Sequence, residues 1–519
     1  MQRIQAKPII WVGLLFFCMS VSGVFARSGY YNVLDYGAVP DGETLCSRAI
    51  QNAVDDCAES GGGTVVIPPG DYLSRPIFLK SHINFKIETG ATLIADTTID
   101  AYPAIDGRAG GIERKVYASL LTGHHLDHIS ITGGGTLEGQ GQPWWNAHRK
   151  TKMLRRQAGI TEREPENPQG SPLKWPRPKM VNLYHCNHVL IRDVTITNSP
   201  SWTVHPVYCD NVTIDNISII QPYESPNTDG INPESCSNVR IVNCFVDCGD
   251  DCITLKSGYN QDGRRVNEPC ENIVISNCVL AHGRSAVGIG SETSGGIWNV
   301  TINNCVFQNT YRGLRIKTAR GRGNVVRDIR AANIIMDNVE TAISLDMYYD
   351  GNDEQYTVKP VDETTPFLKN ISYSHITGTD IKYAAKITGL PEAPIENLQF
   401  IDIDLQAETG IQARFLDNVD FHNIEIQAQK GSAFAISHAS IVDLDEITTK
   451  TPVPGEPVIA LENVKDVQVR NCTAVKGTGI FLELRGNKNQ KISLIDNLLE
   501  KAQIPFRAKD GSSVVIQKY

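Results

Sequence analysis

Asn211-Val-Thr-Ile-Asp-Asn-Ile217, Asn238-Val-Arg-Ile-Val-Asn-Cys244, Asn272-Ile-Val-Ile-Ser-Asn-Cys278 and Asn299-Val-Thr-Ile-Asn-Asn-Cys305 are four versions of one phrase. A phrase that returns at a near-constant interval sets the architecture of a chain before any single motif does. Weaker copies begin at His128, His188, Asp328, Asn370, Asn397, Asn418 and Asp466, and the starts from 188 to 328 are separated by 23, 27, 34, 27 and 29 residues. Each copy alternates apolar and polar residues, is rich in Val and Ile, and is bounded by Asn, Gly or Asp, the pattern of a short strand between turns. Most intervals leave too little chain for a helix. The expected fold is therefore all-β, a solenoid in which each repeat supplies one coil of a β-helix.

Stacked coils lie about 4.8 Å apart, so equivalent side chains form ladders along the tube. That gives the repeated Asn a place in ladders at turns, and Cys244, Cys278 and Cys305 a place as small apolar side chains in the core. The open end of such a tube needs covering. Ser47 to Glu59 supplies a cap: Ile50, Ala53, Val54 and Cys57 fall at helical spacing and Gly61-Gly62-Gly63 ends the segment. The cap region spans about residues 30–62. A second departure, from about 146 to 176, holds Arg149, Lys150, Lys152, Arg155, Arg156, Arg163 and Lys174 against three glutamates. It reads as a basic loop insertion, able to wall a site for an anionic substrate.

Composition is even across the 519 residues, with no Pro/Ser or charged linker, so one long domain over 27–519 is expected behind a leader. In the leader, Arg3 and Lys7 precede the apolar run Pro8 to Cys18, and Val24-Phe25-Ala26 resembles a cleavage site. Residues 1–26 thus read as a signal peptide, and the protein as exported, periplasmic or extracellular. The alternative, a lipidated Cys18, is opposed by bulky Phe17. No later apolar run is long enough to span a bilayer, so no membrane span is expected. Loss of Arg3 and Lys7 with the leader moves the formal charge from −9 to −11. That argues against nucleic acid as a partner and leaves an acidic polysaccharide possible through a local basic cleft. The expected state is a monomer.

A polar series crosses the most regular repeats: Asn227-Thr-Asp229-Gly230, Gly249-Asp250-Asp251, His282-Gly283 and Arg315-Ile-Lys317. Its steps of 21 to 22, 31 and 33 residues match one coil, so these groups can stack on neighbouring coils. Asp250 and Asp251 can share a cleft only if the chain bends there, and Gly249 makes a bend cheap. Clustered carboxylates cannot all ionise freely, and repulsion leaves a protonated acid beside an ionised base, the pair glycoside hydrolysis needs. Arg315 and Lys317, two apart, can hold a substrate carboxylate. Singly, each of these residues is as readily a turn or a solvated surface position. Their order on consecutive coils is what carries weight.

In this order, Asn227-Thr-Asp-Gly, Gly249-Asp-Asp-Cys, His282-Gly with Gly288-Ile-Gly-Ser291, and Arg315-Ile-Lys317 resemble the motif set of the polygalacturonases, glycoside hydrolase family 28. Asp35-Tyr36-Gly37-Ala38 and Asn198-Ser-Pro-Ser-Trp202 are similar in kind. The resemblance implies a right-handed parallel β-helix and hydrolysis with inversion, without metal or other cofactor. It makes Asp250 the general acid, has Asp229 and Asp251 activate water, and has His282 support the acid. Arg315, Lys317, Asn227, Lys256 and Tyr349 would bind galacturonate, with Tyr348 as the alternative to Tyr349. Ala281 and Arg284 depart from the family pattern around the histidine. Asn232-Pro-Glu-Ser and Lys256 look like the bacterial, often exo-acting branch. Homogalacturonan is the first substrate expected; rhamnogalacturonan and xylogalacturonan stay open. Two readings of other classes remain at this point: a calcium-dependent pectate lyase using the same aspartates as ligands, and a non-catalytic carbohydrate-binding β-helix.

Overall fold

The computed structural model describes residues 29–161, 167–349, 356–509 and 516–518. The leader at 1–26, with Cys18, lies outside the described residues. The chain winds as a right-handed parallel β-helix. Three columns of strands run along it, and among the described residues the named strand pairs are parallel except for the hairpin of Ala104–Ala109 with Ile112–Tyr117. One column carries the sequence repeat: Asn187–Arg192, Asp210–Asp215, Ser237–Val242, Cys270–Ser276 and Ile297–Gln308 pair in turn. A second contains Ser218–Ile220, Phe245–Asp247 and Val279–Ala281. The third, which carries the polar series, runs through Val181–Tyr184, Val204–Val207, Asp251–Leu255, Ser285–Ile289, Arg312–Lys317 and Thr341–Asp346.

The repeat has a backbone cause. Asn211, Asn238, Asn272 and Asn299 take φ of 54 to 58°, and Asn216, Asn243, Asn277 and Asn304 take 53 to 58°. This left-handed region costs most side chains strain, while Asn tolerates it. Two such residues per copy bend the chain at both ends of each strand. Their amides then join coil to coil: Asn299 donates to Asn272 at 3.0 Å and Asn397 to Asn370 at 2.8 Å. The twelve cysteines among the described residues are buried and unpaired. Register places Cys186, Cys209, Cys236 and Cys270 in one internal file and Cys244, Cys278 and Cys305 in another.

Helix α1, Ser47–Glu59, covers the first coils with Ile50, Ala53, Val54 and Cys57 buried beneath it. The segment expected as a basic loop is corrected: much of it is helix α2, Gln142–Ala158. Its buried residues are Trp144, Trp145, Ala147, Thr151 and Arg155; Trp144, Ala147, Thr151 and Arg155 fall at helical spacing, but Thr and Arg interrupt the apolar stripe and hide it in the sequence. Trp144 packs edge-on against Tyr102 and Tyr117, and Trp145 Nε1 donates to Ser199 O at 3.0 Å. The Ala104–Tyr117 hairpin is anchored by Arg108, whose guanidinium meets Glu234 at 3.1 Å, both side chains fully buried. No helix among the described residues is long and apolar enough to cross a membrane.

Candidate active site

Register aligns the third column residue by residue. Val181, Val204, Ile231, Ile253, Val287, Leu314 and Ile343 form one apolar rung pointing into the tube. Two residues before it, at the corner where the chain enters the strand, Lys179, Trp202, Asp229 and Asp251 occupy equivalent places on four successive coils. One and three residues after it, on the outer face, come Arg315 and Lys317, two coils beyond Asp251. Corner and outer face together border a cleft of about 550 Å³ with the three aspartates, Lys256, Lys317 and Tyr349 in its wall.

One oxygen from each of Asp229, Asp250 and Asp251 lies within 4.8 Å of the other two. Asp250 reaches the cleft beside Asp251 because it sits in the corner rather than in the strand. Gly249 is required there for space, not for an unusual φ: a Cβ would come within 2.4 Å of Ser225 O and 2.8 Å of Thr228 Oγ1. The corner is braced by backbone, since Arg284 N donates to Asp250 O at 2.8 Å.

The three carboxyls differ in what surrounds them. Burial, followed by the charges of Asp250 and Asp251, drives Asp229 well above the ordinary carboxylate range, despite Lys256 and a hydrogen bond from Asn232 at 3.0 Å. Burial and the neighbouring Asp251 also raise Asp250, against the pull of Lys317, Arg284 and Lys256. Asp251 goes the other way. Burial opposes its charge, but Lys317, Arg315 and Lys256 outweigh it and hold the group ionised far below the usual range. Lys317 Nζ is 2.7 Å from Asp251 Oδ2. Adjacent carboxyls are thus displaced in opposite directions, Asp250 towards its protonated form and Asp251 towards its anion, the condition for paired acid and base work.

The other expected residues are distributed as follows. Asn227 donates to Asp250 Oδ2 at 3.3 Å and accepts from Arg177 at 2.8 Å. Lys256 pairs with buried Glu292 at 3.1 Å; burial works against its charge, and Glu292, Asp229 and Asp251 together raise it. The Tyr349 ring lies under Arg315 at 5.1 Å and Lys317 at 5.4 Å, and Arg315 Nε is buried with no hydrogen-bond partner among the described residues. His282 is half-exposed and its Nδ1 lies 3.1 Å from Asp247 Oδ1, so its side-chain contact is with Asp247 rather than Asp250. Its segment reaches Asp250 through the Arg284 backbone. As a donor set the three aspartates could hold a cation, but the Lys317 ammonium already sits on Asp251 at 2.7 Å, and calcium would need further oxygens to reach its six to eight. A second group able to ligate, Asp127, His128 and His188, lies at the surface, where the two imidazoles stack at 4.2 Å in the turn ladder.

Sequence reasoning missed Arg177, Lys179 and Glu292, and gave Trp202 a place in a motif-like segment without a role in the site. The signal for two of them was present: Lys179 and Trp202 stand at the same distance before an apolar rung as Asp229 and Asp251, with steps of 23, 27 and 22 residues.

A β-helix whose coil face holds a buried acid and base between cations defines a class, enzymes that cleave polysaccharide chains. The profile of Glycosyl hydrolases family 28 matches residues 57–411, well over half of the chain. Over 397 residues the chain is 33% identical to a probable polygalacturonase of Vitis vinifera, covering 74% of this chain and 76% of that one. A hyperthermoactive exopolygalacturonase of Thermotoga maritima shares 30% identity at a TM-score of 0.65, covering 76% of this chain and 91% of that one. The family 28 exopolygalacturonase of Yersinia enterocolitica shares the fold at a TM-score of 0.64 and 22% identity, covering 85% and 78%. The chain belongs to glycosyl hydrolase family 28 and is a glycoside hydrolase of the polygalacturonase type.

Proposed function

We propose that the chain is an exported enzyme that hydrolyses α-1,4-galacturonosyl linkages of pectin with inversion, attacking from chain ends. The observation that carries this reading is the opposite displacement of Asp250 and Asp251 within one cleft, with Arg315 and Lys317 beside the anion. Asp250 gives its proton to the glycosidic oxygen as the C1–O bond breaks. Water adds to C1 from the other face and passes its proton to Asp251, while Asp229, kept protonated, orients that water. The product is a hemiacetal of inverted configuration, and solvent exchange returns both carboxyls to their starting states. His282 and Arg284 hold the Asp250 corner in place. Arg315, Lys317 and Asn227 receive the galacturonate, with Lys256 and Tyr349 fixing their charge and position.

Inversion rests on family membership, since the nearest oxygens of Asp250 and Asp251, within 4.8 Å of each other, lie closer than the roughly 6.5 to 9.5 Å between acid and base usual in inverting enzymes. End attack is supported by α2, which walls the cleft on the Asp229 side, and by the exopolygalacturonase of Thermotoga maritima. Export is supported by the leader sequence. The test is incubation of the purified protein with polygalacturonate and excess chelator, following reducing ends, ultraviolet absorbance and, by proton NMR in the first minutes, the anomer released. Reducing ends without absorbance, monomer as the early product and a β-anomer are expected. Unsaturated products would overturn hydrolysis, an α-anomer would overturn inversion, and mixed oligomers would overturn end attack.

A further inference from the structure

Lys179 is 5% exposed and lines the cleft, yet among the described residues its Nζ has neither a hydrogen bond nor an ion pair. Its contact is with Trp202, whose ring lies 5.5 Å from Lys179 Nζ and 4.7 Å from Lys256 Nζ. The neighbouring buried cations are satisfied. Lys317 sits on Asp251, Lys256 on Glu292, and Arg177 donates to Pro200 O, Pro226 O and Asn227 Oδ1. A buried charge is kept only where something compensates it.

Its position says what that could be. Lys179 heads the corner file that continues through Trp202 to Asp229 and Asp251, so it stands two coils, roughly 10 Å, from Asp229 on the side away from Arg315. Arg315 and Lys317 stand two coils beyond Asp251 on the other side. Cations thus flank the carboxylates along the axis on which a sugar chain would lie, with Lys317 reaching back over its two coils to Asp251 at 2.7 Å. We propose that Lys179, seated on Trp202, binds the carboxylate of the sugar across the scissile bond from Arg315 and Lys317, so that the site selects two contiguous uronic acids. The proposal rests on the hydrolase reading above and narrows its substrate. A homogalacturonan offers a carboxylate on both sides of every linkage, whereas a polymer alternating uronic acid with a neutral sugar offers one. Burial, with Arg177 and Arg114, pushes the Lys179 ammonium down to about 8 despite Glu234 and Asp229, a loss that a bound carboxylate reverses.

The test compares Lys179→Met, which keeps the length and the contact with Trp202, and Lys179→Arg with the unmodified enzyme. The substrates are trigalacturonate and the same trimer methyl-esterified at its non-reducing end. Lys179→Met is expected to lose at least tenfold in kcat/KM on the free acid, chiefly through KM, and its acid-to-ester preference is expected to fall towards one. Lys179→Arg is expected to keep that preference, and the Tm of Lys179→Met is expected not to fall, since an uncompensated buried charge is removed. An acid-to-ester ratio in Lys179→Met equal to that of the unmodified enzyme would overturn the proposal. Failure of the unmodified enzyme to cut either trimer would sink the galacturonan reading instead. Calorimetric titration with digalacturonate then still decides the role of Lys179: at least tenfold weaker binding by Lys179→Met supports it, and equal or absent binding by both proteins overturns it.

Discussion

The coils that carry the cleft and the coils from Phe367 to Ala508 are built on one rung, yet they treat charge in opposite ways. The rung of Ile253, Val287, Leu314 and Ile343 continues through Ala385 and Ile411, and further on through Phe434, Ile459, Leu482 and Phe506. Two residues before it, where the first half has Lys179, Trp202, Asp229 and Asp251, the second has Tyr383, Thr409, Ser432, Pro457, Ile480 and Ile504. Ion pairs of the cleft bury both partners, as in Lys317 with Asp251 at 8% and 2% side-chain exposure. Those within the second half leave the cation at least partly in water, whether the acid is exposed, as in Lys430 with Glu408 at 67% and 44%, where a pair contributes about 0.2 to 1 kcal/mol, or buried, as where Glu483 meets Arg485, Arg507 and Lys509. The backbone is the same, so chemistry depends on two additions: ionisable side chains at the corner, and walls such as α2 and the Ala104–Tyr117 hairpin that strip water from them.

The strongest way to break this contrast is to remove the proton donor. Asp250→Asn keeps the shape of a group already inclined to be neutral, so kcat should fall by roughly 10²- to 10⁴-fold while the thermal midpoint stays put; retained turnover would show that Asp250 is only part of the corner. The second half should respond in the opposite sense. Phe421 is fully buried and stacks on Phe400 at 4.9 Å, so Phe421→Ala should cost about 3 to 5 kcal/mol in urea unfolding with turnover per folded molecule unchanged. Lost turnover in the folded variant would couple the two halves. A subtler effect is expected from Lys317→Met. Asp251 is held low against its burial first by Lys317, then by Arg315 and Lys256. Loss of the leading cation makes the carboxylate harder to form, so the acid limb of the kcat/KM profile should move to higher pH. An unmoved limb, or one displaced downward, would separate that limb from Asp251.

The sequence showed the solenoid because its cause is local: each corner needs an αL residue, Asn fills it repeatedly, and the strand between alternates. The aspartates and the Arg315/Lys317 pair were legible for the same reason, as polar departures from a regular pattern. What stayed hidden needs depth or register. Helix α2 was obscured because Thr151 and Arg155 stand in its buried stripe. Nothing singles out Lys179 until the rung of Val181 aligns it with Asp229. The opposite displacements of Asp229 and Asp251 follow from burial, which raises the first, and from Lys317, which outweighs burial at the second, and no spacing conveys that. The side-chain partner of His282, Asp247, lies a full coil away in the chain.

The smallest effect should be one the two halves share. Asn272, in the first half, donates to Asn238 at 3.3 Å and accepts from Asn299 at 3.0 Å; Asn397, in the second, donates to Asn370 at 2.8 Å and accepts from Asn418 at 2.7 Å. Both residues are exposed, with φ of 58° and 54°. Alanine in either place loses two solvent-exposed hydrogen bonds and meets the left-handed penalty, together about 1 to 2 kcal/mol. Glycine adopts that backbone freely, so Asn→Gly isolates the part due to the ladder itself. Equal losses at the two positions, with kcat unchanged, would show that the ladder is common scaffold and that the difference between the halves lies in the corner file. A larger loss at Asn272, accompanied by a fall in kcat, would mean that the ladder also holds the catalytic corner, and the division between scaffold and chemistry would have to be redrawn.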